Sequence, residues 1–196
     1  MNNSSICFEF NDWNPERTEV DNLEIGAGTG LFSECLALKN PNKKFVAIDV
    51  KADRLVKGAQ QAESDQLRNI RFLRARADQL LEAFAPHSIK YIWITFPDPY
   101  PKKRNAGRRL THPTFLKIYK ELLREDGALY FKTDAKELFD WSLEQLVAEG
   151  WQIQRLSFDL HESDLNENYK VMTTYERRFV SEGLKINFVK ALPPKK

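Results

Sequence analysis

Several short stretches of this chain hold side chains of the kind that bind or react. The first is the glycine loop Gly26-Ala27-Gly28-Thr29-Gly30, which closes an apolar run at residues 22–25. Glycines there let the backbone turn sharply and come close to a ligand. Asp49 ends the next apolar run, 19 residues after Gly30. That matches the ~20-residue offset of an acid that grips ribose hydroxyls. The third glycine falls one residue early for a pyrophosphate site, and Glu24, just before the loop, would repel a pyrophosphate. A positively charged ligand without phosphate suits Glu24 better. S-adenosylmethionine, with an ammonium and a sulfonium, is such a ligand. The expected cofactor contacts are therefore Glu24, Gly26, Gly28 and Asp49. The competing reading is an ordinary tight strand-to-helix turn.

The second stretch is Phe96-Pro97-Asp98-Pro99-Tyr100-Pro101. Each proline fixes φ and removes an N–H donor. Three of them around one aspartate hold a carboxylate and an aromatic ring stiffly, which a solvent loop does not need. The run from Lys102 to Arg109 follows, with five cations in eight residues and no acid. A charge run is usually a solvated surface, but beside a reactive loop it suits a polyanionic substrate. Lys132-Thr133-Asp134 ends another apolar run, with Asp134 equally placed to cap a helix. Thr173-Thr174-Tyr175-Glu176 has the spacing of a capping box and, taken alone, reads as structural. His87, His112 and His161 show no metal-ligand spacing, and no serine or cysteine sits on a nucleophile elbow. No metal is expected.

Apolar runs that alternate with helical patterns must position these residues. Strands are expected at 22–25, 44–49, 70–73, 89–96, 128–133, 152–158 and 185–189. Helices are expected at 31–38, 52–66, 79–84, 114–124, 136–149 and 173–181. Residues 97–113 are too rich in proline and cations for regular structure, and 126–127 read as a turn. This alternation predicts an α/β fold: a doubly wound, mostly parallel sheet of about seven strands with helices on both faces. Ligands of such sheets sit beyond the carboxyl ends of the strands, where the reactive stretches fall.

Composition sets the frame. The chain has 196 residues, 42% hydrophobic and 30% charged, with a net charge of +2. That fits one globular domain over residues 1–196, with 1–21 as an N-terminal segment and 97–113 as a basic substrate loop. The small net charge excludes a uniformly basic coat. Two cysteines exclude a disulfide scaffold. No run approaches the ~18 apolar residues of a membrane span, and residues 1–12 lack a signal-peptide pattern. The cytoplasm is the expected compartment.

Together these stretches resemble the bacterial tRNA (guanine-N7-)-methyltransferase family, which has the class I methyltransferase fold, a Rossmann-like architecture. The resemblance rests on residues 23–30, on Phe96-Pro97-Asp98-Pro99-Tyr100-Pro101-Lys102, on Arg108-Arg109-Leu110, on Lys132-Thr133-Asp134 and on Thr173-Thr174-Tyr175-Glu176. It implies methyl transfer from S-adenosylmethionine to N7 of a guanine in tRNA, in the variable loop. By the resemblance, Glu24 and Asp49 bind the cofactor, Asp98 lies at the methyl-transfer centre, and Arg76 falls at the adenine contact, with Asp78 two residues later. Lys102, Asp134, Thr173, Thr174, Tyr175 and Glu176 match positions assigned to the tRNA. The alternatives are a methyltransferase for adenine N6 or cytosine N4 and a non-catalytic RNA-binding relative. The former usually has two prolines where Asp98-Pro99-Tyr100 has one.

Overall fold

A computed structural model describes residues 4–14 and 20–195. The expected N-terminal segment 1–21 lies partly outside the described residues. The elements run β1 (Cys7–Glu9), β2 (Val20–Ile25), α1 (Leu31–Lys39), β3 (Phe45–Asp49), α2 (Ala52–Ser64), β4 (Ile70–Arg74), α3 (Leu80–Ala83) and β5 (Ile89–Thr95). They continue with α4 (Pro113–Leu122), β6 (Leu123–Thr133), α5 (Lys136–Ala148), β7 (Gln152–Ser157), α6 (Thr174–Ser181) and β8 (Asn187–Leu192). One eight-stranded sheet is ordered β1-β4-β3-β2-β5-β6-β8-β7. Neighbours from β1 to β6 pair parallel, while β8 is antiparallel to both β6 and β7.

Successive strand residues point to opposite faces, so each central strand feeds two cores. Leu23, Ile25, Ile48, Ile92, Ile94 and Phe131 pack with Leu116 and Tyr119 of α4 and Phe139 of α5. Phe45, Ala47, Phe72, Trp93 and Tyr130 pack with Phe32 and Leu36 of α1 and Leu55 and Ala59 of α2. Each fully buried large side chain contributes roughly 1.5–3 kcal/mol. This is the doubly wound α/β architecture expected from the alternation.

Four details differ from the sequence expectation. The sheet has an extra strand, β1, which pairs with β4 through Cys7, Phe8 and Glu9. Three residues are too few for a two-residue period to show. Within 97–113, Lys103–Arg108 forms a 3-10 helix. β6 begins at Leu123, and its register with β5 shifts between Ile89 and Tyr91. Residues 126–127 sit within that irregularity, where a Cβ on Gly127 would lie 2.8 Å from the carbonyls of both Lys90 and Arg124. The last strand runs Asn187–Leu192, later than the expected 185–189.

Glu34, in the first turn of α1, gives the fold a pH dependence. It is 4% exposed, and its Oε1 has no hydrogen-bond partner among the described residues. Burial, followed by the carboxylates of Asp65 and Glu24, pushes its pKa up to about 7. The folded state thus binds this proton more tightly than the unfolded state. The Glu34 contribution is fully favourable below the unfolded value and is lost as pH rises through the folded one. Glu34→Gln should therefore raise the melting temperature at about pH 8 and change it little at about pH 5. An equal shift at both pH values, read by calorimetry, would reject this assignment.

Candidate functional site

The strand order reverses between β2 and β5, and the loops after β2, β3, β5 and β6 gather at one sheet edge. At Gly26 φ is +72°, and a Cβ there would lie 3.0 Å from Leu110 Cδ1. Glycine thus permits both the turn and the close seat of Leu110. The N–H of Ala27 donates to the Ile48 carbonyl at 2.9 Å, tying the glycine loop to the end of β3. Asp49 Oδ2 accepts from the Gly28 N–H at 2.8 Å, and Oδ1 accepts from the Lys51 N–H at 2.9 Å. These bonds hold the carboxylate still, and its remaining lone pairs can take ribose hydroxyls.

A cleft of about 460 Å³ opens here, lined by Gly26, Asp49, Arg76, Asp98, Arg108 and Phe115 among others. Small-molecule sites span roughly 300–1,000 Å³. A fixed acid, an open glycine turn and apolar walls that include Ala75, Ala77 and Phe115 suit a nucleoside-bearing cofactor. Arg76 reaches the rim, but its guanidinium is held by Asp78 through bonds of 2.8 and 2.7 Å.

Glu24 is elsewhere than its place in the sequence suggests. It is 2% exposed and accepts from the Ser33 N–H at 3.1 Å, Ser33 Oγ at 2.7 Å and Thr95 Oγ1 at 2.6 Å. Burial raises its pKa, against those hydrogen bonds and the charge of Lys132. The reason is strand alternation: Ile25 belongs to the α4 and α5 core, so Glu24 points to the other face, beneath α1. Its carboxylate clamps α1 to β5 behind the glycine loop.

The loop after β5 is bent at both ends of the aspartate. Phe96 has φ +48° and Tyr100 φ +42°, a region that bulky residues rarely adopt. Such strain persists where the surroundings enforce it, and it clusters at functional sites. Here the Phe96 N–H donates to the Lys132 carbonyl at 2.8 Å, and the Tyr100 carbonyl accepts from Arg109 at 3.1 and 3.3 Å. Asp98 is exposed at the cleft, with no side-chain hydrogen bond or ion pair among the described residues.

The basic run divides into parts. The Arg109 guanidinium stacks 4.4 Å from the Trp141 ring and braces the loop through Tyr100. Arg108 lines the cleft. Lys102, Lys103 and Arg104 are exposed and unpaired among the described residues. The five expected phosphate contacts thus reduce to three free cations plus Arg108, because the loop uses Arg109 to fix its own shape.

Asp134 is half-buried at the same edge, and α5 is not capped by it. Instead Thr133 Oγ1 accepts from the Ala135 N–H at 3.1 Å. Thr173 does cap α6, accepting from the Glu176 N–H at 3.1 Å. The reciprocal half of the capping box is missing, because Glu176 points inward to Lys132 and His161. Glu176 is fully buried, whereas Thr174 and Tyr175 are exposed. Sequence reasoning missed Ser33, Thr95, Lys132, Leu110 and Gly58 as supports of the site. Leu110 and Lys132 stand within motifs that carry the resemblance, and Gly58, a glycine inside a helical pattern, carried a signal of its own.

Comparison with known proteins agrees with this geometry. The family model described as "Putative methyltransferase" matches residues 18–189. A tRNA (guanine-N(7)-)-methyltransferase of Brevibacillus brevis is 43% identical over 169 residues, covering 86% of this chain and 78% of its own. One from Lachnoclostridium phytofermentans is 42% identical over 161 residues, covering 82% of this chain and 75% of its own. Among solved structures, the 16S rRNA methyltransferase KamB superposes with a TM-score of 0.68 at 16% identity, covering 91% of this chain and 90% of that one. At that identity the likeness is one of fold.

Proposed function

The chain belongs to the tRNA (guanine-N7-)-methyltransferase family, and from that premise we propose how its own residues carry out the reaction. It transfers a methyl group from S-adenosylmethionine to N7 of a guanine in tRNA, and the nucleotide lies in the variable loop. The observation that carries the reading is Asp98, an exposed carboxylate held between two strained residues at the cofactor cleft.

S-adenosylmethionine, when bound, supplies an electrophilic sulfonium methyl. Asp49 holds the ribose, and the Gly26 and Gly28 backbone lets the cofactor lie close. Guanine N7 has an in-plane lone pair and no proton, so the chain needs no strong base. It must hold the ring in line, which is a matter of positioning. Methylation leaves the ring cationic, and the Asp98 carboxylate stabilises that growing charge. Asp98 or Asp134 accepts from guanine N1–H and N2–H, and Lys102 donates to O6. Lys103 and Arg104 meet phosphates, with Thr174 and Tyr175 presented on the same substrate side. Glu24 acts behind the loop, by seating α1. Residues 1–196 work as one methyltransferase domain in the cytoplasm. No helix among the described residues is long and apolar enough to cross a membrane.

Labelled S-adenosylmethionine incubated with bulk tRNA should yield 7-methylguanine on nucleoside analysis. Cleavage after borohydride and aniline treatment should map to the variable loop. RNA affinity should fall with salt at a log–log slope of about −1.4, for the two phosphate contacts of Lys103 and Arg104 at ~0.7 each. Label on adenine N6 or cytosine N4 would reject the reading.

A further inference from the structure

α6 is docked in an unusual way. A surface helix normally turns apolar side chains to the core. In α6 the buried residue is Glu176, while Thr174, Tyr175, Arg177 and Arg178 are exposed and Phe179 and Val180 are half-buried. Glu176 Oε1 meets Lys132 Nζ at 2.6 Å, and both side chains are fully buried. His161 Nε2 lies 2.9 Å from the same oxygen, and Glu176 Oε2 has no partner among the described residues. Lys132 Nζ also donates to the Val171 carbonyl at 3.1 Å.

Lys132 reaches the reactive loop as well. Its carbonyl accepts the Phe96 N–H, two residues before Asp98, and Phe96 is the strained residue with φ +48°. The Phe96 ring packs 5.7 Å from Phe179 of α6. One residue of β6 therefore holds the loop through its backbone and the helix through its side chain.

We propose that Lys132 and Glu176 are positioning residues for methyl transfer, their buried ion pair fixing the register of α6 against the Asp98 loop. A buried ion pair adds little net stability, because desolvation offsets the attraction. It does demand one geometry, and its best-attested use is to set register. Here that geometry fixes which side of α6 faces outward, and so presents Thr174 and Tyr175 to the RNA. Glu176 thus serves the substrate from inside the protein, without touching it. The inference rests on the reading that this edge binds tRNA.

The test replaces the pair with two methionines, Lys132→Met together with Glu176→Met. Apolar substitution of a buried pair is often neutral or stabilising, so melting and S-adenosylmethionine binding should match the wild type. Transfer to tRNA should nonetheless fall about 100-fold in kcat/KM, the scale of a ~1 Å misplacement. A folded double variant with wild-type tRNA kinetics would overturn the proposal, since the pair would then be structural only. Should that protein not fold, Glu176→Gln is measured instead and must show the same split between tRNA turnover and cofactor affinity. It should also be non-additive with Tyr175→Ala, because the two act through one presentation of α6. Full turnover in Glu176→Gln, or simple additivity, rejects the proposal. A wild-type enzyme that leaves guanine N7 of tRNA unmodified would instead overturn the functional reading itself.

Discussion

Asp98→Ala should lose about 10²–10³-fold in turnover with tRNA, the range for removing one preorganised electrostatic group. S-adenosylmethionine should still bind with nearly wild-type affinity. Asp98 is exposed and makes no side-chain bond or ion pair among the described residues, so its removal should also leave the melting temperature in place. What it loses is a fixed negative charge beside a ring that becomes cationic only as the methyl transfers. That interaction strengthens toward the transition state and therefore appears in kcat. Asp98→Asn should fall between, keeping an acceptor oxygen without the charge. Single-turnover kinetics beside calorimetry separates the two effects. A variant with full turnover but weak cofactor binding would move Asp98 out of the reaction and into the cofactor site.

The same loop shows what a sequence can carry and what it cannot. Pro97, Asp98 and Pro99 announced a rigid carboxylate, because proline acts on its own backbone wherever it sits. β5 was equally legible, since Ile89–Thr95 is composed almost wholly of residues that fit a buried strand. The glycine loop and Asp49 were readable through spacing along the chain. Glu24 was not, because its role depends on which sheet face it meets. Its order in the sequence places it near the loop, but the alternation of β2 turns it away. Glu176 is a similar case: threonine and glutamate at capping-box spacing suggest a local pair, yet Lys132, 44 positions earlier, takes the carboxylate. Arg109 looked like one more phosphate ligand until Trp141, from α5, supplied a ring to stack on. In each of these cases a long-range partner decides the side chain's surroundings, and spacing is silent about such partners.

Gly58→Ala is the substitution for which local and long-range physics disagree most. Gly58 lies inside α2, where alanine would ordinarily stabilise a helix by about 1 kcal/mol. Here α2 packs against the glycine loop so closely that a Cβ on Gly58 would fall 1.8 Å from the Thr29 carbonyl oxygen and 2.9 Å from Phe72 Cε1. The first obstacle is backbone, which no rotamer change can move aside. Either α2 must shift or the loop must, and the loop lies between Gly28, which donates to Asp49, and Gly30, which starts α1. Gly58→Ala should therefore destabilise by roughly 1–3 kcal/mol or more, the overpacking range. At ~2–4 °C per kcal/mol for a domain of this size, the melting temperature should drop by about 2–12 °C. S-adenosylmethionine affinity should fall with it, because the same displacement moves the Asp49 anchor. Gly107→Ala provides the contrast in stability, since a Cβ there meets no protein atom within 4 Å and should leave the melting temperature nearly unchanged. Thermal melts and cofactor calorimetry on the two variants decide the matter. A Gly58→Ala protein as stable as the wild type, with undiminished cofactor binding, would mean that the contact between α2 and the glycine loop does not shape the site.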